Sequence, residues 1–167
     1  ETVDDRLVLS NRESPTRTSG AEFFGRFRRG PWVATASYTW VRAREVEADG
    51  TTVDVPLTPD RTWGVVAAWE RHGTARVGLE VYRTGRQRLE DNPYRTESPA
   101  YTIVGLLAER RVGRARLFIN LENITNVRLS RTHPLLLPSP TPLGQWTVDA
   151  WAPLEGRTIN GGVRFGF

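Results

Sequence analysis

Apolar and polar residues alternate with a period of two through most of this chain of 167 residues. The last eleven residues, 157–167, show the pattern most clearly: every second residue from Ile159 to Phe167 is apolar or glycine, and the residues between them are polar or glycine. Because successive side chains of a strand point to opposite faces of its sheet, this segment is predicted to be a strand with one apolar face. That face ends in two aromatic residues, Phe165 and Phe167.

The same periodicity predicts six more strands and the end of a weaker one near the N-terminus. These segments cover residues 7–11 (the weak one), 21–28, 32–42, 62–70, 75–82, 101–110 and 115–122. The segment 101–110 is apolar on both faces and fits a helix by periodicity, yet its β-branched Ile103 and Val104 and the turns beside it favour a strand. The chain is therefore predicted to contain eight antiparallel segments.

The connections between these segments alternate between short and long. Tight turns are predicted at Gly30-Pro31, His72-Gly73 and Val112-Gly113. The long connections are centred on residues 15, 50, 92 and 140. Outer-membrane β-barrels join their strands by tight periplasmic turns and long external loops. The predicted fold is therefore all-β, with antiparallel transmembrane strands of a β-barrel that would form an open curved sheet if seen alone, and with Phe167 on the periplasmic side.

One face of these strands is predicted to contact lipid. Trp32 and Trp40 share a face eight residues apart, which corresponds to about 20 Å along the axis of a barrel whose strands are tilted by about 40°. That distance is close to the height of the lipid-facing band of an outer-membrane barrel, which aromatic residues border at both interfaces. The predicted lipid-facing aromatic residues are Trp32, Trp40, Trp63 and Trp69.

The opposite face carries charged side chains, which are predicted to line a water-filled lumen. Burying an ionised side chain in a dry core is costly, whereas a wet lumen accepts it. The predicted lumen-facing charged residues are Arg26, Arg76, Glu80, Arg116, Glu122 and Arg164. We expect structural ion pairs among them rather than contacts with a substrate.

The composition excludes a helical membrane protein. Only 38% of the residues are hydrophobic, and no stretch approaches the roughly eighteen apolar residues of a membrane-spanning helix. Residues 134–148 lack charge, but they contain four prolines, which prevent a continuous helix. Cysteine is absent, so disulfides and thiolate metal sites are excluded.

The charge balance does not favour a nucleic-acid partner. All 23 basic residues are arginine, and with 19 acidic residues they give a net charge of +4. A basic protein can bind an anionic surface, but here the charges of both signs are scattered through the chain. No basic cluster with interleaved aromatic residues, as in proteins that bind single strands, is present in the sequence.

No catalytic, metal or cofactor site is predicted. His72 lies in a predicted tight turn and His133 in a long proline-rich connection. Neither has a serine or carboxylate partner at a spacing typical of a catalytic triad or a metal site. A non-enzymatic protein is therefore expected.

Candidate ligand contacts lie in the last long connection, because arginine and aromatic residues are frequent anchors of recognition surfaces. These candidates are Arg128, Arg131, His133, Trp146 and Trp151. A second interpretation applies equally to the tryptophans: Trp146 and Trp151 pack the connection onto the sheet or mark the outer interface. An imported small-molecule ligand is the expected partner in the first case.

Several segments carry a resemblance to a known family. They are L-F-I-N-L-E-N-I-T-N-V-R at 117–128, L-G-Q-W-T-V-D-A-W-A-P-L-E-G-R at 143–157 and G-V-R-F-G-F at 162–167. Upstream, T-S-G-A-E at 18–22 and V-P-L-T-P-D-R at 55–61 look like strand-entry segments of the same family. With these segments in this order, the chain resembles the C-terminal part of a TonB-dependent outer-membrane receptor over nearly its whole length.

The resemblance implies a barrel of about twenty-two strands, filled by an N-terminal plug domain. It implies import of a nutrient such as a ferric siderophore, cobalamin or a sugar across the bacterial outer membrane, with energy delivered through TonB, and contact with outer-membrane lipid. Phe165 and Phe167 resemble the terminal signal that the barrel-assembly machinery recognises. Residues 1–167 contain neither a plug nor a TonB-contact segment, so they are expected to be the C-terminal part of the barrel domain, with the plug and the remaining strands elsewhere in the protein.

Two other interpretations remain open from the sequence. Eight strands can close into a small barrel of their own, as in an adhesion or lipid-modifying outer-membrane protein, but residues 1–11 form a weak partner for the last strand. A soluble all-β binding module would instead bury the four tryptophans named above in a core.

Overall fold

The computed structural model describes residues 2–3, 6–7, 15–47, 49–141 and 144–166. These residues form ten β-strands and one short 3₁₀ helix, Leu129–Arg131. No helix among them is long and apolar enough to cross a membrane. The strands are β1 (Thr2–Val3), β2 (Arg6–Leu7), β3 (Arg17–Arg29), β4 (Trp32–Val46), β5 (Thr52–Asp54), β6 (Arg61–Arg71), β7 (Ala75–Thr84), β8 (Tyr101–Val112), β9 (Ala115–Glu122) and β10 (Thr158–Phe165).

Eight of the strands form one antiparallel sheet in the order β10-β9-β8-β7-β6-β4-β3, with β5 paired to β4 outside this path. Each of the seven long strands is hydrogen-bonded to the long strands that precede and follow it in the sequence. This arrangement allows consecutive strands to be joined by short hairpin turns. β3 and β10 lie at the two edges of the path, so the sheet is open. The predicted all-β fold with an open antiparallel sheet is confirmed.

The eighth strand of the sheet is not the one that the sequence predicts. The weak segment 7–11 was expected to provide it, but β1 and β2 pair with each other in a separate two-stranded sheet, and residues 8–14 lie outside the described part. The eighth strand is β5, within a stretch expected to be a loop. Gly50, with a φ of 84°, reverses the chain after β4, and the β-branched Thr52 and Val53 extend back along it.

Three tight turns join the long strands at one end of the sheet. Each contains a glycine with a positive φ, 55° at Gly30, 68° at Gly73 and 59° at Gly113, a conformation that glycine adopts at little steric cost. The predicted turns at Gly30-Pro31 and His72-Gly73 are confirmed. The third turn lies one residue later than predicted, at Gly113-Arg114, because Val112 still pairs within β8 and β9.

The long connections that the structure describes lie at the opposite end of the sheet. The connection predicted around residue 15 lies mostly outside the described residues, and β3 already begins at Arg17. The first, second and third long connections cover residues 47–60, 85–100 and 123–157. Phe165, the last residue of β10, pairs with Ala115 beside the third tight turn. The C-terminal end of the described chain therefore lies at the tight-turn end, and connections alternate between short and long as the sequence predicts.

The pairing register sorts the side chains onto two faces. Directly opposed residues of an antiparallel pair lie on the same face, and such pairs include Trp32 with Trp69 and Leu106 with Leu121. The face that carries these residues is termed the apolar face. The other face, termed the polar face, carries Arg26, Arg76, Glu80, Arg116, Glu122 and Arg164.

Gly20 and Gly25 lie in the same strand, but only Gly20 meets backbone at close range. A Cβ atom at Gly20 would overlap the carbonyl oxygen of Trp40, whereas one at Gly25 would have no atom within 4 Å. We expect Gly20→Ala to lower the free energy of unfolding by about 1–3 kcal/mol, because β3 must move away from β4. Gly25→Ala should leave it unchanged or raise it by about 0.5–1 kcal/mol. Urea denaturation measures the free energy of unfolding of both variants. Equal denaturation midpoints for the two variants would contradict the close approach of β3 and β4.

Candidate functional site

Nothing in the described part of the chain covers the apolar face. Phe23, Phe27 and Trp32 each keep more than half of their surface exposed. Contiguous apolar surface of this extent marks a contact with a membrane or with another protein. Other exposed residues of this face are Val65, Val77, Leu79, Leu117, Ile119, Ile159 and Val163.

The four tryptophans predicted to contact lipid lie on the apolar face at two levels. Trp32 pairs directly with Trp69 near the tight turns. Trp63 pairs with Tyr38, and Trp40 lies two residues further along β4, towards the long connections. Aromatic side chains therefore border this face at both ends of the stretch over which β4 pairs with β6.

The two residues predicted to act in assembly lie at the end of the chain. Phe165 belongs to the apolar face and is 68% exposed. The amide of Gly166 donates to the carbonyl of Arg114 at 3.1 Å, so backbone pairing continues beyond β10. Phe167 lies outside the described residues.

The six charged residues predicted to line a lumen share the polar face. Glu122 accepts a hydrogen bond from Asn120 Nδ2 at 2.6 Å. Arg26, Arg76 and Glu80 are exposed and form no ion pair with any residue that the structure describes. Their guanidinium and carboxylate groups are therefore open to solvent or to a further part of the protein.

A short ladder of interactions crosses the polar face near the tight turns. Arg116 Nη1 lies 3.0 Å from Glu109 Oε1, and the guanidinium of Arg164 lies 5.0 Å from the centre of the Phe118 ring. The side chains of Arg116 and Glu109 are both partly exposed, so their ion pair contributes only about 0.2–1 kcal/mol to the stability. Glu109 is not among the predicted lumen-facing residues, because its segment, 101–110, is apolar on both faces over most of its length.

The second and third long connections share a small core. The buried members of this core are Leu89, Leu129, Trp151 and Ala152. Leu129 is only 1% exposed, which is possible because the 3₁₀ helix turns it inward against residues from the second connection. Tyr101, on the polar face of β8, packs against this core, with its ring centre 6.2 Å from that of Trp151. The third connection is therefore anchored on the polar face.

A buried histidine and tryptophan join the two halves of this connection. Trp151 Nε1 donates to His133 Nε2 at 3.2 Å, which requires an unprotonated Nε2. His133 Nδ1 lies 3.0 Å from the carbonyl oxygen of Pro134 and donates to it. Tyr94 stacks on the imidazole with ring centres 5.5 Å apart. The neutral imidazole thus uses both nitrogens and one ring face to hold the connection together.

The ends of the third connection are closed by a group that we term the loop clasp: Asn123, Ile124, Asn126, Val127 and Arg157. Asn123 and Asn126 have φ angles of 48° and 55°, which asparagine tolerates better than most residues. Asn123 bonds both the amide and the carbonyl of Val127, at 2.9 and 2.8 Å. Arg157 donates to the Ile124 carbonyl from Nε and Nη2 at 3.1 and 2.6 Å. Part of the family-like segment 117–128 therefore has a structural role in this chain.

The five candidate ligand contacts do not converge on one site. His133 and Trp151 are buried in the core of the third connection. Arg128 is partly buried, and its Nε has no hydrogen-bond partner among the described residues. Arg131 is exposed, and Trp146 is 59% exposed. Arg131 and Trp146 therefore offer the accessible side chains of this set, and ligand contact remains a prediction for all five.

An open cleft of about 510 Å³ lies between the first and second long connections, at the end of β4. Arg86 lines it with an exposed side chain that forms no ion pair among the described residues. Arg88 also lines it and pairs with Glu47. The other charged residues of the lining are Arg42, Arg44, Asp54, Asp60 and Glu97. Gln87 ties the cleft to the third connection, because its Nε2 donates to the Trp151 carbonyl at 3.2 Å. The sequence does not indicate this cleft, since residues 83–99 are polar without a period.

The chemistry that these surfaces offer is recognition. Among the described residues, no group of three or more His, Cys, Asp or Glu side chains could hold a metal ion. His72 lies in a tight turn at one end of the sheet, and His133 lies in the third connection at the other end. Charged side chains in an open cleft and an exposed tryptophan instead suit the binding of a solute.

The comparisons with known proteins concern the fold. No protein-family model and no curated protein sequence matches the chain. The structure is similar to part of the ferric-catecholate import receptor Fiu from E. coli K12 in its closed form, with a TM-score of 0.66 and 18% sequence identity. The similarity covers 100% of this chain and 23% of that receptor's chain. The chain therefore has a fold found within an import receptor and spans about a quarter of its length.

Removing the largest side chain of the core tests whether the third connection is a folded unit. We expect Trp151→Ala to destabilise the connection by about 3–5 kcal/mol, because it leaves a cavity and the Trp151–His133 hydrogen bond is lost. Tryptic cleavage after Arg128 and Arg131 should then accelerate about a hundredfold or more, since cleavage follows the population of the open form. Trp146→Ala is the matched control, with an expected change within about 0.5 kcal/mol. Equal cleavage rates of the two variants would exclude this core.

Proposed function

We propose that residues 1–167 are the C-terminal part of the barrel domain of a TonB-dependent outer-membrane receptor that imports a nutrient such as a ferric siderophore or cobalamin. The observation that carries the proposal is the similarity of the whole sheet to part of a ferric-catecholate import receptor. The segments 117–128, 143–157 and 162–167, which resemble the receptor family, support it independently. The protein acts in transport and has no enzymatic role.

The apolar face contacts outer-membrane lipid in this proposal. Support comes from the uncovered apolar side chains and from the tryptophans at two levels of β4 and β6. The tight turns then lie on the periplasmic side, and the long connections lie outside the cell. Phe165 then lies on the periplasmic side, and Phe165 and Phe167 belong to the segment that the barrel-assembly machinery recognises.

The polar face looks into the barrel and towards a plug domain supplied by another part of the protein. Arg26, Arg76 and Glu80 have no ionic partner among the described residues, and a charged plug surface would supply partners. The open edges at β3 and β10 pair with the remaining barrel strands. An edge of this length that stays unpaired promotes aggregation, so the rest of the barrel is required. TonB delivers energy through the parts of the receptor outside residues 1–167.

The ligand approaches from the long-connection end. Arg131 and Trp146 of the third connection are exposed there, and Arg86 presents a free guanidinium in the cleft between the first and second connections. Guanidinium groups bind carboxylate, phosphate and other anionic oxygen groups. The loop clasp and the core around Trp151 hold the third connection in place, while the exposed residues contact the ligand.

Adjacent alanines at the centre of β6 test the membrane orientation. Ala67 pairs with Ala34 and Leu79 on the apolar face, and Ala68 pairs with residues of the polar face. Ala67→Arg should destabilise the full-length protein in a bilayer by about 2–4 kcal/mol, because it places a charge in the hydrocarbon. Ala68→Arg, facing water, should change the stability by less than about 1 kcal/mol. Unfolding in lipid vesicles measures both variants, and a larger loss for Ala68→Arg would reverse the assignment of the faces.

Uptake by whole cells tests the transport function. Cells that make the full-length protein should accumulate a radiolabelled ferric chelate or cobalamin. Deletion of the gene for this protein, or of the gene for TonB, should abolish the uptake. Trp146→Ala and Arg131→Ala should each weaken ligand binding to cells by about thirtyfold if they are anchors, the loss typical of a hot-spot residue. Arg28→Ala on the polar face is the control. Uptake that survives the loss of TonB would disprove the proposed function.

A further inference from the structure

Charge is divided unequally between the two faces of the sheet. The seven long strands contain acidic residues only on the polar face: Glu22, Glu45, Glu70, Glu80, Glu109 and Glu122. On the apolar face, the only charged residues of these strands are arginines near the strand ends: Arg17, Arg29, Arg42, Arg44, Arg61, Arg71, Arg83 and Arg110. The border of the apolar face is therefore positively charged wherever the long strands carry charge.

The arginines cluster at one corner of this border, where β3 and β4 approach the long connections. Arg17 lies directly opposite Arg44, and Arg42 lies two residues from Arg44 on the same face. Like charges placed directly opposite each other destabilise a strand pair. Asp54 contacts Arg44 at 3.6 Å, but Arg17 and Arg42 form no ion pair within the described residues. Two guanidinium groups without an ion pair among the described residues therefore remain at this corner.

An open cleft occupies the same corner. It has a volume of about 610 Å³ and is lined by Arg17, Arg42 and Arg44, by the hydroxyl-bearing Thr18, Ser19 and Thr52, and by Pro15, Val46 and the acidic Glu45. Guanidinium groups bind phosphate through paired, charge-assisted hydrogen bonds, and hydroxyl groups add further donors. With three guanidinium groups against the one carboxylate of Glu45, the cleft has the chemistry of a phosphate site.

The cleft lies just beyond the aromatic border of the apolar face. Trp40 precedes Arg42 by two residues on the same face, and its directly opposed residue on β6 is Arg61. A ligand in the cleft can therefore place an anionic group on the arginines and an apolar chain against Trp40 and the apolar face. By contrast, the arginines at the tight-turn end lie on β3, β6 and β8 with a strand between each, about 10 Å apart.

We propose that Arg17 and Arg42, with Arg44, bind the phosphate headgroup of an anionic lipid at the long-connection end of the apolar face. This proposal rests on the proposed function, which places the apolar face in a bilayer. The headgroup supplies the negative charge that the corner lacks, and the acyl chains lie along the apolar face. The site gives the barrel a fixed lipid at its outer border, on strand β3 where the described sheet ends.

Lipid binding by the purified full-length protein in detergent micelles tests the site. The probes are phosphatidic acid, phosphatidylcholine and inorganic phosphate, and bound lipid is measured by native mass spectrometry during titration. The double variant Arg17→Gln/Arg42→Gln should bind phosphatidic acid about thirtyfold more weakly, at about fivefold for each arginine near a membrane surface. The matched control Arg28→Gln/Arg111→Gln, which removes two charges from the polar face, should bind like the wild type.

The outcomes distinguish failure of the lipid site from failure of the proposed membrane function. Heat-dependent electrophoretic migration shows whether each variant forms a barrel, and if the double variant does not, Arg17→Gln and Arg42→Gln are tested singly for their fivefold effects. A wild-type protein that stays folded and in solution without detergent overturns the membrane assignment and this site with it. A wild type that inserts but binds phosphatidic acid and phosphatidylcholine equally overturns the site alone. Full competition by inorganic phosphate identifies a free-anion site and also overturns the proposal.

Discussion

The register of strand pairing is the constraint on which the rest of the structure depends. Side chains alternate between faces, so a slip of one residue would exchange the two faces of a strand. Trp69 would then enter the polar face, and Glu70 would join the apolar one. The tight turns at Gly30, Gly73 and Gly113 limit such slips, because each joins two strands through only two or three residues.

The eight-stranded sheet has little interior of its own, because the described residues leave its apolar face uncovered and only the third connection packs on its polar face. Among the described residues, the buried apolar cluster is confined to the second and third connections, around Leu129 and Trp151. Backbone hydrogen bonds hold the strands side by side, but burial of the apolar face requires material outside the chain. The surroundings of this sheet, lipid on one face in our proposal, are therefore part of what stabilises it.

The long-connection end combines rigid and accessible elements. The loop clasp and the His133–Trp151 hydrogen bond fix the third connection, whereas Trp146 and Arg131 remain exposed on it. The arginine corner of β3 and β4 lies at the same end, on the other face of the sheet. The cleft at Arg86 and the lipid site nevertheless share Arg42 and Arg44, so the two clefts adjoin at this corner of the sheet.

The sequence by itself determined the seven long strands, their two faces and the positions of the tight turns to within one residue. These features are local, because a period of two and a glycine with a positive φ can be read from neighbouring residues. The tertiary structure decided which distant residues meet: Gln87 with Trp151, 64 residues apart, and Arg157 with Ile124. No local pattern encodes such contacts, since they depend on how irregular connections pack. For the same reason, β5 and the cleft at Arg86 could not be predicted.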